Sequence, residues 1–211
     1  EAVRQTFKAA LISPRFIFRE EAMDFEKSGQ IDEFALAHRL SYFLWSSIPD
    51  DTLWELAKNQ ELRKNLKKEF LRMLSDPKLN AFIENFSGQW LQLRDLKLAT
   101  PNPDQFPEFS DSIRVSMVRE TEEFFKYLLM QNLPVDTLLS ANFSMVNQEM
   151  AKFYGLPGNF TKEFKRVVFT GEVSAKRGGI LTHGSILAIT SNPTRTSPVK
   201  RGKWVLENLL A

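Results

Sequence analysis

The chain has 211 residues, with 28 Lys and Arg, 26 Asp and Glu, and a formal net charge of +2. Its 9 glycines and 10 prolines are about 9% of the chain, below the roughly 12% of average proteins, which excludes collagen-like and low-complexity classes. Cysteine is absent, which excludes disulfides, thiolate metal sites, a cysteine nucleophile and a Cys-x-x-Cys-His haem attachment within these residues.

A chain of this length can form one large or two modest domains. With 18 phenylalanines against 3 tyrosines, the core is expected to be aromatic and mostly without polar handles. The charge is uneven. Residues 1–160 carry 19 basic and 23 acidic side chains, whereas residues 161–211 carry 9 and 3. An anionic partner would therefore meet the C-terminal quarter, unless that quarter pairs with the acidic body of the same molecule. No stretch approaches the roughly 20 apolar residues that cross a bilayer. Glu1-Ala2-Val3-Arg4 does not open a signal peptide, and the chain reads as a piece of a longer protein, so missing targeting signals say nothing of location.

Helical periodicity dominates in chain order. From Ala2 to Glu21, Val3, Phe7, Ala10 and Leu11 share one helical face, and Ser13-Pro14 starts a short continuation with Phe16, Ile17 and Phe18. Gly29 breaks the pattern. Asp32 is expected to cap a helix lined by Phe34, Ala37, Leu40 and Leu44. Ser47-Ile48-Pro49-Asp50 has the capping-box spacing, ahead of Leu53, Leu56 and Ala57. Leu62, Leu66, Phe70 and Met73 mark another amphipathic helix; Asp76-Pro77 opens one with Phe82, Phe86, Trp90 and Leu93.

Residues 99–109, with three prolines, form a loop of a length that usually has a purpose or crosses a surface. A long helix follows from Ile113 to Met130, with Ile113, Met117, Phe124 and Leu128 inward. Met145 to Tyr154 reads as a helix ended by Gly155. Phe164 to Phe169 suits a strand, Arg177-Gly178-Gly179 a turn, and Ser191 to Ser197 a loop. Ser197-Pro198 caps a terminal helix with Val199, Leu206 and Leu209 inward. The fold class expected is mainly α: a multi-helix domain with a smaller C-terminal segment of loop, short strands and a terminal helix.

The chemistry available is limited. His38 and His183 are the only imidazoles; His38 suits a surface or satisfied core role. His183 follows Thr182 and precedes Gly184-Ser185, so it is the one weak candidate for a general base, with no nucleophile or orienting carboxylate identifiable from sequence. Two histidines without cysteine match no transition-metal ligand pattern, and no metal site is expected. The acidic run Glu120, Glu122 and Glu123 is most simply a solvated helix face, although Glu120 lies four residues from Phe124 and could sit at the core edge.

The run Thr190 to Lys203 is the best binding candidate. Ser191, Asn192, Thr194, Thr196 and Ser197 precede a helix start, with Arg195, Lys200 and Arg201 beside them and Arg177 upstream. Free N–H groups at a helix start attract anions, and an arginine holds one bidentately. The plainer reading is that the cations pair with acids of the body while the hydroxyls cap the helix. A phosphate-loop string is absent, and nucleic-acid binding lacks a stacking platform.

Several strings also carry a family resemblance. Leu40-Ser41-Tyr42-Phe43-Leu44-Trp45-Ser46-Ser47-Ile48-Pro49-Asp50-Asp51, with Phe86-Ser87-Gly88-Gln89-Trp90-Leu91 and Phe143 through Gly155, resembles an uncharacterised domain family of large planctomycete cytochrome-c-like proteins. Arg177 through His183 and Thr190 through Leu210 resemble an adjoining uncharacterised family, and residues 1–21 the tail of a third. This implies a tail over residues 1–27, a helical domain over 28–157 and a basic C-terminal domain or extension over 158–211. It further implies a periplasmic or secreted multidomain protein whose c-type haem, where present, lies outside this chain; no cofactor is expected within it. Three functions stay open. One is a scaffold or ligand-binding pair touching a small anion, an acidic saccharide or another domain of the polypeptide, such as a haem domain. The second is a redox-associated or polysaccharide-degrading enzyme around His183 and Arg195. The third is a purely structural spacer.

Overall fold

Helix α1 (Ala2–Leu11) opens the chain, and Pro14 sits in the first turn of α2 (Pro14–Ile17), where its missing N–H costs nothing. This is a computed structural model, and it describes residues 1–18, 23–24 and 30–210. The break expected at Gly29 and the segment end at Glu21 lie outside the described residues. The apolar stripe of α1 forms as its periodicity predicts, yet α1 buries none of its residues: Val3, Phe7 and Leu11 are all more than half exposed.

The chain divides into two units, Glu1–Leu79 and Asn80–Ala211. In the first, β1 (Met23–Asp24) and β2 (Gln30–Ile31) pair antiparallel. Asp32 caps α3 (Glu33–Trp45), its carboxylate accepting from the Ala35 N–H at 2.6 Å. The buried stripe of α3 is Ala37, Ser41, Leu44 and Trp45, so Phe34 and Leu40 are only half-buried. Asp50, rather than Ser47, caps α4 (Asp51–Lys58) by accepting from the Leu53 N–H. Leu53 and Ala57 of α4 join Leu62 and Met73 in the core, Met73 lying on α5 (Leu66–Leu74). Arg72 of α5 donates to both Asp50 oxygens at 2.8 and 3.1 Å and to Glu69 at 2.6 Å. Burial pushes the Asp50 carboxyl up, but the Arg72 and Leu53 hydrogen bonds outweigh it and hold it below its ordinary value.

The second unit begins with α6 (Asn80–Trp90), whose Phe82, Phe86 and Trp90 stack successively and meet Phe125, giving the aromatic core the composition predicts. A 3₁₀ segment, Leu93–Leu98, leads into the proline loop. Ser110 then caps α7 (Asp111–Met130), its hydroxyl accepting from the Ile113 N–H. Helix α8 (Thr137–Ser140) precedes β3 (Phe143–Val146), and α9 (Gln148–Tyr154) ends at Gly155 in the left-handed region with φ 66°. The helix read from Met145 onward is thus corrected. Its first two residues belong to a strand, because β4 (Lys165–Val168) pairs with β3, Phe143 opposite Val168. Asn147 caps α9 by accepting from the Met150 N–H.

Helix α10 (Gly171–Ser174), a 3₁₀ turn at Ile180–Thr182 and α11 (Gly184–Ile189) follow. Ser191 to Ser197, expected as loop, contains a tight antiparallel hairpin: β5 (Ser191–Asn192) pairs with β6 (Arg195–Thr196) around Pro193-Thr194. Helix α12 (Pro198–Leu209) closes the unit, with Ser197 at its N-cap accepting from the Lys200 N–H. Of its expected inward face only Leu209 packs against the core, and the other two positions are corrected. Val199 and Leu206 are 82% and 61% exposed, while Trp204 is buried with its indole N–H on the Leu91 carbonyl. The spacing of the small aliphatics pointed one way, and the largest apolar side chain decided otherwise.

Helix α7 carries the unit. Phe124 and Leu128 pack into one apolar cluster with Leu91, Phe143, Ile180, Ile186 and Trp204, while Ile113 and Met117 pack into another with Leu96, Val146 and Met150. Between them, on the same helix, lie Glu120 and Thr121, both buried.

Candidate functional site

The polar layer between these clusters is continuous. Glu120, 1% exposed, accepts from the Ser144 hydroxyl at 2.7 Å and from the Tyr154 phenol. Tyr154 in turn accepts from the Gly184 N–H at 2.8 Å. Ser144 contacts His183 Nε2 at 3.2 Å, Thr121 contacts His183 Nδ1 at 3.0 Å, and Ser185 contacts Thr121 at 2.7 Å. Donor and acceptor counting orders the chain. While Glu120 is ionised, Ser144 spends its proton on it, so His183 donates from Nε2, accepts at Nδ1 from Thr121, and Thr121 accepts from Ser185. Every step runs toward the Glu120 carboxyl.

The electrostatics follow from burial. Desolvation pushes Glu120 up to about 7, against the Tyr154 and Ser144 hydrogen bonds and the Arg177 charge, which favour its ionised form. Desolvation, helped by Arg177, pushes His183 down to about 3, so it is neutral across the physiological range. The Tyr154 phenol is raised well above its ordinary value by burial and by Glu120. Glu122, also buried, is pushed up to about 7 by desolvation against the pull of Arg119. The solvated face expected of Glu120 and Glu122 is therefore corrected: both acids lie inside, and only Glu123 of the three is partly open.

Tyr154 connects this layer to a cleft of about 660 Å³. One wall is the proline loop, with Leu98, Pro101, Phe106 and Phe109. The loop is pinned twice. Arg114 of α7 donates to the Leu96 and Ala99 carbonyls at 2.7 and 2.8 Å and lies over the Phe109 ring, while the Asn102 N–H donates to the Pro193 carbonyl of the hairpin. Phe153 and Tyr154 of α9 and Leu187, Ala188 and Ile189 of α11 continue the apolar surface. Arg195 and Thr196 of β6, Lys200 and Arg201 of α12, and Ser191 and Asn192 of β5 also line the cleft, and Arg177 lines it beside Tyr154.

Of the nine binding candidates, seven therefore line one cleft: Arg177, Ser191, Asn192, Arg195, Thr196, Lys200 and Arg201. Thr194 sits at the exposed hairpin turn and Ser197 caps α12; neither lines it. The cations are not spent on acids. Among the described residues none of the four makes an ion pair. Arg177 lies 3.4 Å over the Tyr154 ring and donates to the Thr182 carbonyl, Lys200 reaches the Ser191 carbonyl, and Arg201 reaches the Thr190 hydroxyl. Asp95 is the one carboxylate in the lining.

His183 lies elsewhere. It is 2% exposed, meets Phe124 edge-on at 4.9 Å, has both ring nitrogens bonded and does not line the cleft. His38, half-buried between Tyr42 and Trp54, has no partner for its Nδ1 among the described residues. Among the described residues no group of three or more His, Asp or Glu side chains could hold a metal ion. With no cysteine, the chain cannot attach a c-type haem. No helix among the described residues is long and apolar enough to cross a membrane.

Sequence reasoning missed Phe106, Phe109, Phe153 and Tyr154. The first two carried a signal, since large aromatics in a proline-rich loop need a surface to cover. Among the curated proteins and the solved structures, none matches this chain. A family model described as PSCyt3, Protein of unknown function (DUF1588), matches residues 177–211, the segment that supplies the cationic lining of the cleft. The model described as PSD4, Protein of unknown function (DUF1592), matches residues 31–156, which span α3 to α9 and include Glu120, Phe109 and Tyr154, and the chain belongs to that family.

Proposed function

We propose that the Asn80–Ala211 unit is a ligand-binding module whose cleft takes an anion at Arg195, within a larger extracytoplasmic, cytochrome-associated polypeptide. One observation carries the reading: four cationic side chains surround a single cleft, and among the described residues none is neutralised by an ion pair. A guanidinium without a carboxylate partner is ready to take one from outside, and bidentate pairing gives such a contact its geometry. The arrangement does not favour an enzyme built on His183, whose neutral, doubly bonded imidazole faces the core. A spacer would have no use for an uncompensated basic cleft.

The organisation belongs to the same proposal. A tail over residues 1–27, a helical module over 28–157 and a basic extension over 158–211 would be the covalent order of modules, with a haem domain, secretion and inter-domain contacts supplied by the parent chain. A c-type haem absorption spectrum of that parent supports this context, and its absence removes it.

The anion site is tested by thermal shift of the full chain against inorganic phosphate, sulfate and galacturonate. A rise in Tm with at least one, lost in Arg195→Ala, is expected. No response in the wild type, or an undiminished response in the variant, overturns the reading.

A further inference from the structure

We infer that the ligand of this cleft is an amphipathic organic anion: an aromatic or aliphatic body carrying an oxyanion head at one end. The inference rests on the anion reading above and adds the nature of the body. The lining combines two chemistries from different elements. Phe106 and Phe109 of the loop and Phe153 of α9 supply aromatic surface, whereas Arg195, Lys200 and Arg201 supply charge from the hairpin and the first turn of α12. A cavity of about 660 Å³ falls within the range of roughly 300–1,000 Å³ that holds organic ligands. A bare tetrahedral oxyanion would touch only the cationic residues and leave the aromatic rings against water.

The aromatic surface is also built rather than incidental. Phe106 is 40% exposed and Phe109 half-buried, on a loop that hydrogen bonds to the hairpin through Asn102 and to α7 through Arg114. Arg114 is thereby consumed in holding the rings in place, while Arg195 has no ion-pair partner among the described residues. The loop thus presents apolar surface to the cleft and the hairpin presents charge, and one rigid tie, the Asn102 N–H on the Pro193 carbonyl, sets their spacing. Body and head of a single small molecule match that division.

Isothermal titration of the full chain separates the body from the head. The probes are 4-phenylbutyrate, its neutral amide, acetate, inorganic phosphate and galacturonate. 4-Phenylbutyrate is expected to bind about tenfold or more tightly than acetate, phosphate or galacturonate, because only it buries apolar surface on the rings. Arg195→Ala should weaken it about tenfold, and Phe106→Ala, an exposed position with little bearing on folding, should weaken it about fivefold while leaving acetate unchanged. If acetate, phosphate or galacturonate binds as tightly as 4-phenylbutyrate, the amphipathic class is wrong and the anion site stands. If the neutral amide binds as tightly as the acid, the charged head is wrong and the anion site falls with it. If no probe binds, both readings fail.

Discussion

One buried acid from each unit shows opposite means of burial. In the first, Glu69 is buried beside Arg72, which also grips Asp50, so charge meets charge, and the Asp50 carboxyl is held below its ordinary value. In the second, Glu120 is buried with two hydroxyl donors and no ion pair, and its carboxyl titrates near 7. Fixed ions lock geometry and are indifferent to pH near neutrality. A carboxyl satisfied by hydroxyls remains responsive in that range, and here its phenol partner lines the cleft. The same residue type is a clamp in one unit and a proton-holding group in the other.

The sharpest way to break the comparison is Arg72→Ala. It leaves Glu69 buried without its counter-charge and frees Asp50, and a loss of about 3 kcal/mol is expected, read by denaturant unfolding of the first unit's amides in hydrogen exchange. A loss below about 1 kcal/mol would show that the clamp is ornamental.

Next comes Glu120→Gln. The folded pKa of Glu120 is raised above its unfolded value, so the native state holds the extra proton between pH 4.5 and about 7. Stability from this group is therefore full below pH 4.5 and falls as pH rises to about 7, by on the order of 3 kcal/mol. His183 works the other way, since its folded pKa is depressed to about 3. The unfolded chain binds its proton up to about pH 6.5, and stability rises with pH through that window. The difference between wild type and Glu120→Gln isolates the carboxyl: the variant should gain on the wild type from pH 4.5 to 7 and run parallel above it. A pH-independent difference contradicts the account.

Tyr154→Phe should cost about 1–2 kcal/mol, because it removes one donor to Glu120 and the acceptor of the Gly184 N–H. The smallest effect belongs to Glu149→Gln. This exposed carboxylate accepts from Ser112 at one oxygen and from Ser116 at the other; the amide keeps one acceptor, and the second hydroxyl must turn to accept from its NH2, so thermal unfolding should move by only about 0.5 kcal/mol equivalent.

What the sequence showed follows the range of the interactions involved. Helix caps depend on a few neighbouring residues, and Asp32, Ser197 and Gly155 act where the pattern placed them. The basic end was visible from charge alone, and the hairpin and α12 bring six of its candidates to one cleft, with Arg177 the seventh. Strand β3 was hidden because its partner β4 lies some twenty residues on, and Phe143 to Val146 reads equally well as a helix start. Glu120 looked solvated because the hydroxyls that satisfy it come from β3 and α9, at positions no local window relates to α7. The exposed stripe of α1 teaches the converse, since periodicity predicts a helix without supplying what covers it.

Equilibrium dialysis with radiolabelled sulfate at low ionic strength tests the central claim most directly. One saturable site per chain is expected, lost when Arg195 and Arg201 are both replaced by alanine. No saturable binding, or equal binding by the double variant, would contradict it.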